Sequence, residues 1–221
     1  MNEVSRQLAL DLLQPLEPSL DNFVPGRNAE ALAALRRLAD GSGADRSIYL
    51  WGVAGSGRTH LLRALAALGA MWHPVTPPDA PGLSIVDDVE TLDDEAQIAL
   101  FTRLNAVRAH AACRCLAAGS LPPAQLALRE DVRTRLAWGL VYQLQPLSDA
   151  EKMQALAAHA ASRGVRADPE VFAWLLHHLP RDMRTLVAAL DALDAAALAR
   201  KKALTVALAK ELARTETGSN P

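Results

Sequence analysis

The sequence predicts an α/β fold, a parallel β-sheet core of five strands or slightly fewer, followed by a small all-helical domain at the C-terminus. Three observations predict it. Up to Pro146, short apolar runs alternate with helical periods, which is the pattern of strands covered on both faces by helices. Beyond Pro146 the periods are helical only. The 50% apolar content, with 4% aromatic residues, is dominated by Ala and Leu, both good helix formers.

Residues 1–20 hold Pro15 and Pro18 and show no sustained helical period, so they read as an extended N-terminal tail. Asn28 is placed to cap a helix whose Leu32, Leu35 and Leu38 recur at helical spacing and which stops at Gly41 and Gly43. Ser47 to Trp51 is a buried strand that runs directly into Gly52-Val53-Ala54-Gly55-Ser56-Gly57-Arg58-Thr59 and then into the helical Leu61 to Leu68. Two further strands, Leu83 to Asp87 and Ala112 to Ala118, flank a helix spaced by Ile98, Phe101, Leu104 and Val107. Leu140 to Leu144 is another strand. Gly69 to Gly82 holds Pro74, Pro77, Pro78 and Pro81 and is too short for a full crossover, so at most a stub around Met71 to Val75 pairs at that edge.

The helical domain starts with the capping box Ser148-Asp149-Ala150-Glu151, and Asp168-Pro169-Glu170 supplies the cap and first-turn proline of the next helix. A third helix places Met183, Leu186, Val187, Leu190 and Leu193 on one face, and a fourth runs from about Thr205 to Ala213. The expected organisation is therefore an N-terminal tail at 1–20, an α/β domain at 21–146, a helical domain at 147–214 and a disordered C-terminal tail at 215–221.

Composition excludes several function classes. A formal net charge of −2 without a block of basic residues gives no electrostatic footprint for strong direct DNA binding. Cys113 and Cys115 lack the further ligands of a thiolate metal site, and their spacing puts both on one face of a strand as small apolar filler. No apolar run approaches the about 20 residues of a membrane span, and no signal segment begins the chain, so a cytoplasmic protein is expected.

The chemistry-bearing residues gather in two motifs. Gly52, Gly55, Ser56, Gly57, Arg58 and Thr59 have P-loop spacing between a strand and a helix, where backbone N–H groups wrap phosphates and the Thr59 hydroxyl reaches Mg²⁺. Arg58 stands where lysine is usual, and its bulkier planar fork suits a triphosphate less well. The alternative is a glycine-rich turn that holds no ligand. Asp87 and Asp88 end the Leu83 strand, with Asp87 on the metal side and Asp88 where a water-orienting glutamate would stand. Acids at a strand end are also common loop residues.

Taken with Leu20 to Asn28, Arg135-Leu136-Ala137-Trp138-Gly139, Leu144 to Asp149 and Met183-Arg184-Thr185-Leu186, these motifs resemble the Hda family of DnaA-related AAA+ proteins over nearly the whole chain. The resemblance implies a P-loop AAA+ core with a small C-terminal all-helical lid domain. It implies ADP as cofactor, with ATP and Mg²⁺ also accommodated, and a nucleotide bordered by Phe23, Val24, His60, Ser120 and Arg184 besides the P-loop and Asp88. Ser120 is shorter than the polar residue usual at its position. Arg135 is then an arginine finger acting in trans on ATP held by DnaA. Gln7, Leu8, Leu10 and Leu12 resemble the family's hexapeptide for the DNA polymerase sliding clamp, in which the glutamine hydrogen-bonds and the leucines bury in an apolar groove.

The function so implied is negative regulation of DNA replication initiation, by stimulating ATP hydrolysis on DnaA, with intrinsic ATPase activity weak or absent. The alternatives are a self-contained AAA+ ATPase resembling a helicase loader and a binding adaptor whose nucleotide pocket is vestigial. Association into a homo-oligomer stays open.

Overall fold

The computed structural model describes residues 17–215. These form two compact units, one of residues 17–146 and one beginning at Leu147. The tails assigned to 1–20 and 215–221 fall mostly outside the described residues. Of the first, Leu20 belongs to the core of the α/β unit, at 8% exposure.

The α/β unit contains helices α1 (Ala29–Asp40), α2 (Arg58–Ala67), α3 (Asp94–Ala109) and α4 (Glu130–Leu136). Its strands are β1 (Ser47–Trp51), β2 (Met71–Trp72), β3 (Gly82–Val86), β4 (Cys113–Gly119) and β5 (Leu140–Gln143). They make one five-stranded sheet in the order β2-β3-β4-β1-β5, with every pairing parallel. Side chains alternate across it as strand geometry requires. Ile48, Leu50, Leu83, Ile85, Leu116 and Ala118 pack on one face with Leu35, Leu38, Leu61 and Leu65 of α1 and α2. Tyr49, Val86, Cys113, Cys115 and Ala117 pack on the other with Leu100, Leu104, Val132 and Leu136 of α3 and α4. Both cysteines are free and buried on that second face, and burial pushes the Cys115 thiol up.

The β2 edge is the stub that the short Gly69 to Gly82 segment permits, pairing Met71 and Trp72 with Ser84 and Ile85. What holds the proline-rich stretch beside it is Arg103 of α3, fully buried and bonded to the Pro78, Ala80 and Gly82 carbonyls. Two local expectations change in the structure. The Asn28 side chain does not cap α1. It exchanges two hydrogen bonds with the Gln145 backbone, at 2.9 and 2.7 Å, and so ties the start of α1 to the segment after β5. The buried face of α3 runs through Gln97, Leu100, Leu104 and Val107, whereas Ile98 is 50% exposed.

The C-terminal unit comprises α5 (Asp149–Ser162), α6 (Pro169–His178), α7 (Met183–Arg200) and α8 (Val206–Thr215). The capping box at Ser148 and Glu151 forms with both reciprocal bonds, and Asp168 caps α6 ahead of Pro169. Leu156, Leu175, Leu186, Leu190, Leu193 and Leu208 are among the residues of its core, and His159 joins Asp191 at 2.7 Å to connect α5 with α7. Among the described residues no helix is long and apolar enough to cross a membrane.

Candidate functional site

The P-loop leaves β1 at Trp51, where the sheet fixes its base. The Gly52 N–H donates to the Gly119 carbonyl at 3.3 Å, and the Leu144 N–H donates to the Trp51 carbonyl at 2.7 Å. The loop then turns into α2 through Gly57 at φ 101°, a left-handed conformation that favours glycine. A Cβ there would also lie 2.7 Å from the Phe23 ring. Phe23 thus closes over the loop, with its ring 5.6 Å from that of His60, and Val24 follows it half-buried. No side chain caps α2, so the first N–H groups of the helix are left to another acceptor.

Thr59 and Asp87 meet, with Thr59 Oγ1 donating to Asp87 Oδ2 at 3.0 Å. Asp88 follows in the left-handed region, φ 43° and ψ 55°, and its Oδ1 lies 3.5 Å from Nη2 of Arg58. Burial and the neighbouring Asp87 charge push the Asp88 carboxyl above its usual range, against the pull of Arg58. Ser120 follows β4 directly, and its N–H donates to Glu90 Oε1 at 2.9 Å. Burial would raise the Glu90 carboxyl, but hydrogen bonds from Ser120 and its own backbone, together with the Arg58 charge, hold it below its usual value.

Glu90 is the residue that sequence reasoning missed here. Its signal was the third acid in Asp87-Asp88-Val89-Glu90, which a short turn over Val89–Thr91 swings back towards β4. Tyr49 lies on the same side, its phenol donating to the Leu121 carbonyl at 2.7 Å and pushed up by burial and the Glu90 charge.

The residues present fit a nucleoside diphosphate with a divalent cation. Arg58 Nη1 and Ser56 Oγ are buried without a hydrogen-bond partner, and no atom lies within 4 Å of the position a Cβ would take on Gly55. The Thr59 hydroxyl and the Asp87 carboxylate, hydrogen-bonded to each other, are oxygen donors of the kind a divalent cation takes. Among the described residues no group of three or more His, Cys, Asp or Glu is placed to bind a metal unaided, so phosphate and water oxygens would complete the shell, as Mg²⁺ commonly requires.

Arg135 stands elsewhere on the α/β unit. From α4 its Nε donates to Asn105 Oδ1 at 2.7 Å and Nη1 to the Asp131 carbonyl at 3.1 Å, while the guanidinium lies 3.8 Å from the Phe101 ring centroid and 4.8 Å from that of Trp138. It lines a cavity of about 370 Å³ with Ser47, Arg108, Trp138 and Gly139. Gly139 fits against the Ser47 backbone where any side chain would collide. Ser47 begins β1 and the P-loop begins after Trp51, so the strand's length, about 15 Å at the usual rise, lies between Arg135's cavity and the chain's own phosphate loop. Arg184 is exposed at the second position of α7, in the C-terminal unit. Gln7, Leu8, Leu10 and Leu12 lie outside the described residues.

Domain III of the replication initiation protein DnaA from Thermotoga maritima is 19% identical, with a TM-score of 0.64 over 86% of this chain and 92% of that one. AMPPCP-bound DnaA from Aquifex aeolicus is 18% identical, with a TM-score of 0.64 over 79% of this chain and 64% of that one. RuvB from Thermotoga maritima is 15% identical, with a TM-score of 0.57 over 88% of this chain and 70% of that one. At these identities the likeness is one of fold. The parallel sheet, the P-loop between β1 and α2 and the C-terminal helical unit give the chain a P-loop α/β fold with a helical domain, the architecture seen in DnaA domain III. The more particular assignment comes from the C-terminus, where residues 149–212 match the family model "Hda, lid domain". The helical unit is thus similar to the lid domain of Hda over those residues.

Proposed function

We propose that this chain is a DnaA-related negative regulator of replication initiation, which binds ADP at its P-loop, docks on the sliding clamp through Gln7, Leu8, Leu10 and Leu12, and presents Arg135 to ATP bound by DnaA. One observation carries this reading: beside a helical unit similar to the Hda lid domain, the chain holds a guanidinium in a cavity at the far end of β1 from its own P-loop. An arginine in that place is suited to a neighbour's phosphates and not to its own. Intrinsic hydrolysis is weak in this reading, because Asp88 is short and turned to Arg58 instead of standing free to orient water.

Thr59 and Asp87 would hold Mg²⁺, which when bound neutralises phosphate charge. Arg58, Ser56 and the backbone of the loop would hold the phosphates, and Phe23, Val24 and His60 would border the base. Calorimetry tests the pocket. ADP is expected to bind more tightly than ATP, and tighter ATP binding with rapid steady-state turnover would move the chain to the self-contained ATPases.

The tail is tested separately. Changing Gln7 and Leu10 to Ala is expected to abolish clamp binding in a pull-down while leaving the melting temperature within about 1 °C, since terminal segments contribute little to a core. Unchanged clamp binding would remove the hexapeptide from the mechanism.

A further inference from the structure

Arg58 occupies the place where a P-loop offers its cation to phosphate, yet its guanidinium is turned onto a carboxylate of its own chain. Nη2 sits 3.5 Å from Asp88 Oδ1, with the Arg58 side chain 13% exposed and that of Asp88 55% exposed. The contact leaves the cation incompletely satisfied, because Nη1 is buried with no hydrogen-bond partner. Asp88 is held in position by its turn. Its N–H donates to Asp87 Oδ1 at 3.0 Å, and its carbonyl accepts from both the hydroxyl and the N–H of Thr91 at 2.8 Å. The left-handed backbone at Asp88 is sparsely populated by residues other than Gly, Asn and Asp. A second carboxylate completes the surroundings, since Glu90 Oε2 is buried without a partner while Oε1 is fixed by the Ser120 N–H.

We propose that Asp88 is an internal competitor for Arg58: the Asp88 carboxylate and a nucleotide phosphate claim the same guanidinium, so nucleotide entry breaks the Arg58–Asp88 pair. This rests on the nucleotide-binding reading above and adds a determinant of affinity to it. A phosphate offers charge-assisted, bidentate acceptance that a single carboxylate oxygen at 3.5 Å does not. Asp88 therefore sets the threshold for nucleotide binding. The sequence position at which a catalytic acid is sought holds instead a residue that lowers occupancy.

Calorimetric titration of the full chain with Mg-ADP tests it, using wild type, Asp88→Asn, Arg58→Ala and the double variant, each first checked by a melting curve. Asn tolerates the left-handed backbone, and Asp88→Gly, which relieves it, is the second variant should Asn fold poorly. Asp88→Asn is expected to bind ADP about fivefold more tightly, the scale of a half-exposed ion pair, and to bring no gain in the Arg58→Ala background. Equal or weaker binding by Asp88→Asn, with wild type binding, overturns the competition and leaves the nucleotide reading intact. An equal gain in the Arg58→Ala background overturns it as well, since removal of a negative charge would then account for the effect. Absence of ADP binding by wild type and by Asp88→Asn alike overturns both.

Discussion

Arg103→Ala is expected to destabilise the α/β unit by on the order of 4 kcal/mol, read as a fall in the denaturant midpoint without a change in slope. Arg103 is fully buried, and no carboxylate is paired with it among the described residues. Its charge is spread over neutral acceptors: Nε donates to Ser84 Oγ at 3.0 Å, Nη1 to the Pro78 and Ala80 carbonyls at 2.8 and 2.6 Å, and Nη2 to the Gly82 and Arg114 carbonyls at 2.8 and 3.2 Å. A guanidinium carries five N–H donors, so every one is used. Alanine would leave a cavity and deprive the part-buried Pro78, Ala80 and Gly82 carbonyls of this donor, each at a cost of about 1–3 kcal/mol where water does not replace it. Arg103→Lys keeps the charge but has three donors in a different geometry, so it should recover less than half of the loss. A midpoint shift equivalent to under 1 kcal/mol for Arg103→Ala would show that the proline-rich stretch is held by something else.

That residue also marks the limit of what the sequence discloses. The helical period of α3 passes through Leu100, Leu104 and Val107 and includes position 103, where an arginine reads as a solvated side chain because Arg is seldom fully buried. Its five partners lie 11 to 25 residues away in the chain, and a period carries no information about them. Glu90 was hidden for the same reason, as its role depends on a turn that brings it to Ser120 across 30 residues. Asn28 shows the competition directly: a residue type suited to a helix cap was instead used to bond Gln145, 117 residues on. Local features fared better. The strand, loop and helix from Ser47 to Ala67, the Ser148 capping box and the Asp168 cap each depend on residues within a few positions of one another, and each formed as its spacing indicates. The edge stub was legible too, because chain length alone limits what Gly69 to Gly82 can span.

Arg135→Ala is expected to abolish stimulation of DnaA's ATP hydrolysis while leaving ADP binding and clamp binding unchanged. Arginine fingers supplied in trans contribute roughly 10³–10⁵ in rate to other NTPases, so a far smaller effect would still be measured. In the proposed role an arginine would serve where a point charge would not. The Arg135 guanidinium rests 3.8 Å from the Phe101 centroid and 4.8 Å from that of Trp138, with Nε on Asn105, a planar seat that fixes the direction of the remaining donors. Lysine cannot reproduce that stacked fork, so Arg135→Lys should fail as well. Arg133 is the control, because its Nη1 turns to the Ala124 carbonyl of its own domain at 3.3 Å, and Arg133→Ala should retain most of the stimulation. The readout is phosphate release from DnaA in the presence of DNA-loaded clamp, with each component omitted in turn. Full stimulation by Arg135→Ala together with loss in Arg133→Ala would reassign the finger to Arg133. Full stimulation by both would end the trans mechanism, because a group that acts on a neighbour's transition state must be missed in the rate when it is removed.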